Sequence, residues 1–267
     1  LDDERGDGVV ALIPAGPVTI AAGHFTGMNG GASTAATTNV SPINLNLSKR
    51  DISALAVIGT FGPVNASLWY TTATGSGTDT AAIEDGLDLY SLNLNGKFGP
   101  VNVDLTHSSA ELKNEAASDF DNETLTKLIV SSTVADVNLV AGYGFTNDNK
   151  DDSRNHGVDI TGDDDAKTNF RLDQIVLDQH NDADAILLGA SMTFGATTVG
   201  ASYLDATVGA TTTNAKIDAN ELDLTVSYAM SKNFSITGLY ADTEMKQSGA
   251  KILDTTEIGR ASCRERV

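Results

Sequence analysis

Two stretches of the chain repeat one design, and that design restricts the fold more than composition does. Residues 87–109 read LDLYSLNLNGKFGPVNVDLTHSS. Tyr90, Leu92 and Leu94 alternate with Ser91, Asn93, Asn95 and Lys97, and after Phe98-Gly99-Pro100 the alternation resumes as Val101, Val103 and Leu105 against Asn102, Asp104 and Thr106. A period of two puts each set on its own face of an extended strand, so both strands have one apolar and one polar side. Residues 51–72 repeat the arrangement, with Phe61-Gly62-Pro63-Val64-Asn65 matching Phe98-Gly99-Pro100-Val101-Asn102. Glycine supplies the unusual backbone angle of a tight reversal, and proline is tolerated where a strand begins because it need not donate to the ladder.

Four further stretches fit the same template: residues 8–25 turning at Ala15-Gly16-Pro17, 124–146 turning near Val134-Ala135-Asp136, 184–206 turning at Gly195-Ala196, and 221–243 turning at Ser231-Lys232-Asn233. Residues 43–47 offer a short extended excursion inside a loop-like segment. Six hairpins predict about twelve strands, with short turns at one end and loops of variable length at the other. The expected fold is all-β: an antiparallel transmembrane β-barrel, porin-like and incomplete, whose strands need only about 9–11 residues each to cross a bilayer. A soluble sandwich also alternates, but it would bury Leu92, Val103, Leu139, Leu188 and Leu224 between two sheets, and nothing in it would keep every short turn at one end. Aromatic placement favours the barrel. Phe61, Phe98, Phe194, Tyr228 and Phe234 lie beside the short turns, while Tyr70, Tyr90, Tyr143, Phe145, Tyr203 and Tyr240 lie toward the loops, as two interfacial girdles would.

Composition mainly excludes. A formal charge of −19 and a pI near 4.3 repel phosphate and argue against a nucleic-acid partner. No run approaches the roughly 18 apolar residues of a spanning helix. The chain opens without Met or a signal peptide, inside an acidic segment, and is expected to be N-terminally incomplete. Residues 257–267 differ from the rest: Cys263, the only cysteine, and Arg260, Arg264 and Arg266 fall within them. They resemble the translation of a common sequencing adapter. The expected division is a partial outer-membrane barrel over 1–256 and an adapter-derived tail over 257–267; without residues 258–267 the charge becomes −21, since three Arg and one Glu leave.

In the order and spacing of its units over residues 51–244, the chain resembles the major outer membrane porins of Campylobacter and related bacteria. The likeness is carried by Leu55-Ala56-Val57-Ile58-Gly59 followed by Ala66-Ser67-Leu68-Trp69-Tyr70, and by Leu222-Asp223-Leu224-Thr225-Val226 followed by Lys232-Asn233-Phe234-Ser235. The resemblance implies a homotrimeric, eighteen-stranded, water-filled porin in outer-membrane lipid of a bacterium, with six strands beyond the twelve read here. The expected function is passive diffusion of small hydrophilic solutes and ions, preferring cations. The rival is a structural or adhesive surface β-protein with no conducting pore.

Polar-face parity makes Asn93, Asn95, Asn102, Asp104, Asn138, Ser191, Asp223 and Thr225 the expected lumen lining. Residues 147–182 form the longest loop and hold ten Asp. The loop either stays outside as a solvated acidic run or folds inward to narrow the pore, and residues 169–179 (NFRLDQIVLDQ) have enough apolar side chains to pack inward. In the inward case Arg171, Asp173 and Asp178 form the constriction. Calcium could take oxygen ligands from Asp163, Asp164 and Asp165, or from residues 119–123, although neither follows EF-hand spacing. No other cofactor is indicated. Enzyme chemistry is not expected: His24, His107, His156 and His180 lack metal-ligand spacing, no nucleophile elbow or phosphate loop occurs, and His107 and Ser108 must point to opposite faces of their strand.

Overall fold

In the computed structural model the described residues are 6–28, 51–74, 87–112, 122–147, 170, 172, 175–177, 180, 182–210, 215–231, 234–258 and 262–265. They form a single antiparallel sheet. Its strands are β1 (Gly6–Ala15), β2 (Val18–Met28), β3 (Asp51–Phe61), β4 (Val64–Thr74), β5 (Leu87–Phe98), β6 (Val101–Leu112), β7 (Glu123–Val134), β8 (Val137–Thr146), β9 (Ala183–Phe194), β10 (Thr197–Val208), β11 (Ile217–Ala229), β12 (Phe234–Gln247), β13 (Ala250–Ile258) and β14 (Ser262–Glu265). From β1 to β13, each strand pairs with its neighbours in sequence. β1 and β13 do not pair with each other among the described residues, so the sheet stays open.

The six expected hairpins are β1–β2 through β11–β12. Gly16, Gly62, Gly99 and Gly195 have φ between 60° and 66° and open two-residue turns. Glycine with positive φ at the first central position matches the right-handed twist of the strands, and the proline after Gly16, Gly62 and Gly99 sits where its fixed negative φ fits. β13 is an addition to the expected hairpins, formed where Ser248 (φ 52°) and Gly249 (φ 79°) reverse the chain. β14 continues the line of β13 along the same edge of β12: Tyr240 pairs with Ile258 and Thr237 with Ser262. The possible strand at 43–47 lies outside the described residues.

Register converts the sequence alternation into two continuous surfaces. On one, Leu68 faces Leu92, Leu94 faces Leu105, Leu105 faces Leu128, Leu128 faces Tyr143, Tyr143 faces Ile186, and Leu188 faces Tyr203. Leu139, Leu188 and Leu224 are 44%, 52% and 43% exposed, while Leu92 and Val103 are half-buried. No second sheet covers them among the described residues, which removes the sandwich. All eleven girdle aromatics lie on this apolar surface by parity. Tyr70 and Tyr90 pair at 5.0 Å, and Tyr143 and Phe145 lie 5.8 Å apart. Charge on this surface gathers at its loop-end margin, where Glu244 is held by Lys246 and Lys251 and Lys216 lies 2.8 Å from Asp218. Apolar flanks and a charged rim are the arrangement that a strand in lipid requires.

Candidate functional site

The opposite surface is polar, and its side chains bond across the strands. Near the short turns, Thr60 Oγ1 donates to Asn65 Oδ1 (2.7 Å) and Asn65 Nδ2 to Asn95 Oδ1 (3.1 Å). Further along, Thr133 Oγ1 donates to Asn138 Oδ1 (2.7 Å), Thr237 Oγ1 donates to Ser227 (2.9 Å), and Thr193 and Thr198 share a hydroxyl bond at 2.9 Å. Halfway up, Thr106 Oγ1 donates to Asn93 Oδ1 (3.1 Å), Asn93 Nδ2 to Ser91 Oγ (3.2 Å), and Ser91 and Ser108 share a hydroxyl bond at 3.2 Å. Each amide and hydroxyl keeps donor or acceptor capacity beyond these bonds, so the wall can still exchange hydrogen bonds with water or a solute.

The eight residues expected to line a lumen all fall on this face. Asn95, Asn102 and Asp104 meet in a recess of about 280 Å³ shared with Asn65, Lys97 and Ser131. Asn102, Asn138, Ser191 and Thr225 meet in a second recess of about 380 Å³. Asn93 belongs to the hydroxyl ladder. Asp223 is set apart, because it is buried beside Ser202 in register rather than open to the recess. His107 and Ser108 point to opposite faces, as parity requires: His107 is exposed and bonds Thr126 Oγ1 (2.8 Å), while Ser108 is buried.

Toward the loops the polar face carries a different surface. Gly142, Gly144, Ala183, Ala185, Ala206 and Ala219 leave a shallow seat, and Phe170, Ile175 and Leu177 fill it against Leu125 and Leu204. A Cβ on Gly142 would lie 3.0 Å from Phe170 Cε2, and one on Gly144 3.0 Å from Leu177 Cδ2. The glycines therefore make room for the segment. Leu172 N–H donates to Ile175 O (3.2 Å) and Leu177 N–H to Phe170 O (3.0 Å), which closes the segment on itself. Ile175 N–H donates to Glu221 Oε2 at 2.7 Å. Burying three large apolar side chains favours this seat by about 1.5–3 kcal/mol each. The described residues of the loop thus lie over the same face as the amide ladder, as its apolar stretch suggested. Arg171, Asp173 and Asp178 lie outside the described residues, as do Asp163, Asp164, Asp165 and positions 119–121.

Sequence parity identified the polar face but missed its buried charges, Glu123, Lys127 and Glu221. The available signal was that they share the inward parity of Leu125 and Ile129, where apolar residues replace amides.

An open antiparallel sheet with lipid-suited flanks and a hydrogen-bonding inner wall defines an outer-membrane channel of the β-barrel class. The sequence model of the Gram-negative porins matches residues 16–248, and the chain belongs to that family: a passive diffusion channel of the bacterial outer membrane. Solved structures share the fold at low identity. Pseudomonas aeruginosa OccK5 (OpdH) is 9% identical over 99% of this chain and 72% of its own, with a TM-score of 0.64. P. aeruginosa OpdL is 11% identical over 97% and 72%, with a TM-score of 0.67, and P. aeruginosa OprD is 12% identical over 95% and 68%, with a TM-score of 0.61. No curated protein sequence matches the chain.

Proposed function

We propose that the amide and hydroxyl face lines a water-filled path for small hydrophilic solutes, that the segment containing Phe170, Ile175 and Leu177 narrows it, and that the path prefers cations. The observation that carries this reading is the seating of that segment on the same face as Asn93, Asn95, Asn102, Asp104, Asn138, Ser191 and Thr225. With a constriction at the wall, carboxylates of the 147–182 loop would act close to the solute. Screening at about 8 Å in physiological salt makes such nearby charges count most, and low-dielectric walls focus their field. Arg171, Asp173 and Asp178 remain the proposed constriction charges, with Asp104 on the wall. A homotrimeric assembly and a closer affiliation with the Campylobacter porins are the finer parts of the proposal, supported by the resemblance over residues 51–244.

The test is reversal potential across a planar bilayer under a salt gradient. A cation-selective potential that moves toward zero when Asp173 and Asp178 are both changed to Asn supports the constriction. An unchanged potential leaves selectivity to wall residues such as Asp104, and absence of conductance favours the structural or adhesive role.

A further inference from the structure

We infer that Glu221 is the positioning residue of the inward segment: its carboxylate, reaching across from β11, fixes how far the segment lies over the path and so sets the path's width. The inference rests on the reading of the polar face as a conducting path. Glu221 is fully buried, in register with Leu204 on one side and Thr243 on the other. Taking a carboxylate out of water is expensive unless it is well bonded, so an apolar side chain would be the cheaper occupant of this wall position. Instead Glu221 Oε2 accepts the main-chain N–H of Ile175, 46 positions away in sequence, at 2.7 Å.

The two halves of the seat do different work. Apolar contact of Phe170, Ile175 and Leu177 with Gly142, Gly144, Ala185 and Leu204 is non-directional and permits sliding along the strands. A charge-assisted bond to a backbone donor is short and directional. Because Leu172 bonds Ile175 and Leu177 bonds Phe170, fixing the Ile175 N–H constrains these four residues together. Without the carboxylate the Ile175 donor loses its acceptor while still facing an apolar seat, so the segment gains by moving away. Glu221 shares the face with Glu123, Lys127, Asp104 and Asp223, and its carboxylate bonds the segment's backbone.

Two measurements on protein extracted from outer membranes test this. In the first, Gly144→Cys and Leu177→Cys are combined in a Cys263→Ser background, and the rate of disulfide formation is followed with Glu221, Glu221→Gln or Glu221→Ala. A cysteine at 144 would place its Cβ 3.0 Å from the residue 177 side chain and equally close to the Phe170 ring, a crowding common to all three Glu221 states, so their relative rates are what is read. The rate is expected to be similar for Glu and Gln, since the amide oxygen still accepts the N–H, and to fall roughly tenfold for Ala as the bound geometry becomes less populated. Equal rates for all three overturn the inference whether or not the protein conducts. In the second, conductance without the cysteines should rise roughly twofold in Glu221→Ala and stay near the starting value in Glu221→Gln. In Glu221→Ala carrying the cysteine pair, oxidation should restore the lower conductance and a reductant should release it. A trapping rate that depends on Glu221 in a protein that never conducts would keep the positioning role and reject the conducting path. Conductance indifferent to Glu221→Ala in a conducting protein would overturn its control of width.

Discussion

Thr133 and Asn138 face each other beside the two-residue reversal between β7 and β8, the threonine hydroxyl donating to Asn138 Oδ1 at 2.7 Å. Between them Ala135 and Asp136 both have positive φ, 49° and 69°. This mirror-image turn suits the strand twist, but it demands a left-handed conformation from a residue with a Cβ. Ala135→Gly should therefore stabilise the β7–β8 hairpin by about 1 kcal/mol. Gly99→Val, at φ 63°, should destabilise β5–β6 by a similar or larger amount. Urea unfolding in lipid vesicles measures both, and opposite signs are expected.

The two faces should differ sharply in their tolerance of charge. Leu188→Arg, on the exposed apolar surface, should cost about 2–4 kcal/mol near the bilayer midplane, and Leu105→Arg on the same surface should behave alike. Asn102→Arg should assemble normally and alter conductance, because Asn102 borders both recesses of the polar face. Equal damage at all three positions would contradict the division into a lipid and a water face.

The glycine seat makes a separate prediction. Gly142→Val adds atoms where Phe170 already lies 3.0 Å from a Cβ position. The ring must leave, forfeiting about 1.5–3 kcal/mol of its burial, and the segment should become open to protease while the strands keep their protection. Gly142→Ala should have a weaker effect, since a single methyl asks the ring to shift by a few tenths of an ångström.

Acid should loosen the same segment. Burial holds the His180 imidazole below its ordinary value of 6.5, so the seated state disfavours protonation and the released state does not. Seating is therefore strongest above about pH 6.5 and weakens as pH falls through that value toward the lowered one. Protease sensitivity of the segment at pH 7.5 and pH 5 reads this directly, and His180→Gln should flatten the difference.

The hairpins were legible because each depends on information within about twenty residues: an alternating run, a short turn that in four of the six is a Gly-Pro or Gly-Ala step, and a second run. β13 was missed because Ile252 and Leu253 stand side by side and break the alternation, and because the register shifts by one beside Met245 and Lys246. The lining was legible by parity for Asn102 or Asn138, whose neighbours alternate cleanly. Glu221 was not. Its role depends on Ile175, which no local pattern connects to it, and Gly142 and Gly144 read as weak strand residues until Phe170 and Leu177 are seen to need their space. The adapter origin of residues 257–267 remains a proposal from their composition, which resequencing of the gene through that stretch decides.

Strand order that follows chain order from β1 to β13 has a consequence for how pores of different bore can arise. Each hairpin's register is set by its turn and the two flanking strands, independently of the total number of strands. A duplicated or deleted hairpin would leave every other interface as it was while changing the circumference by two strand widths, about 9–10 Å. Diameter is then a quantity that gene duplication can step through in whole units, whereas the seat at Gly142, Gly144 and Glu221 adjusts the opening within each step.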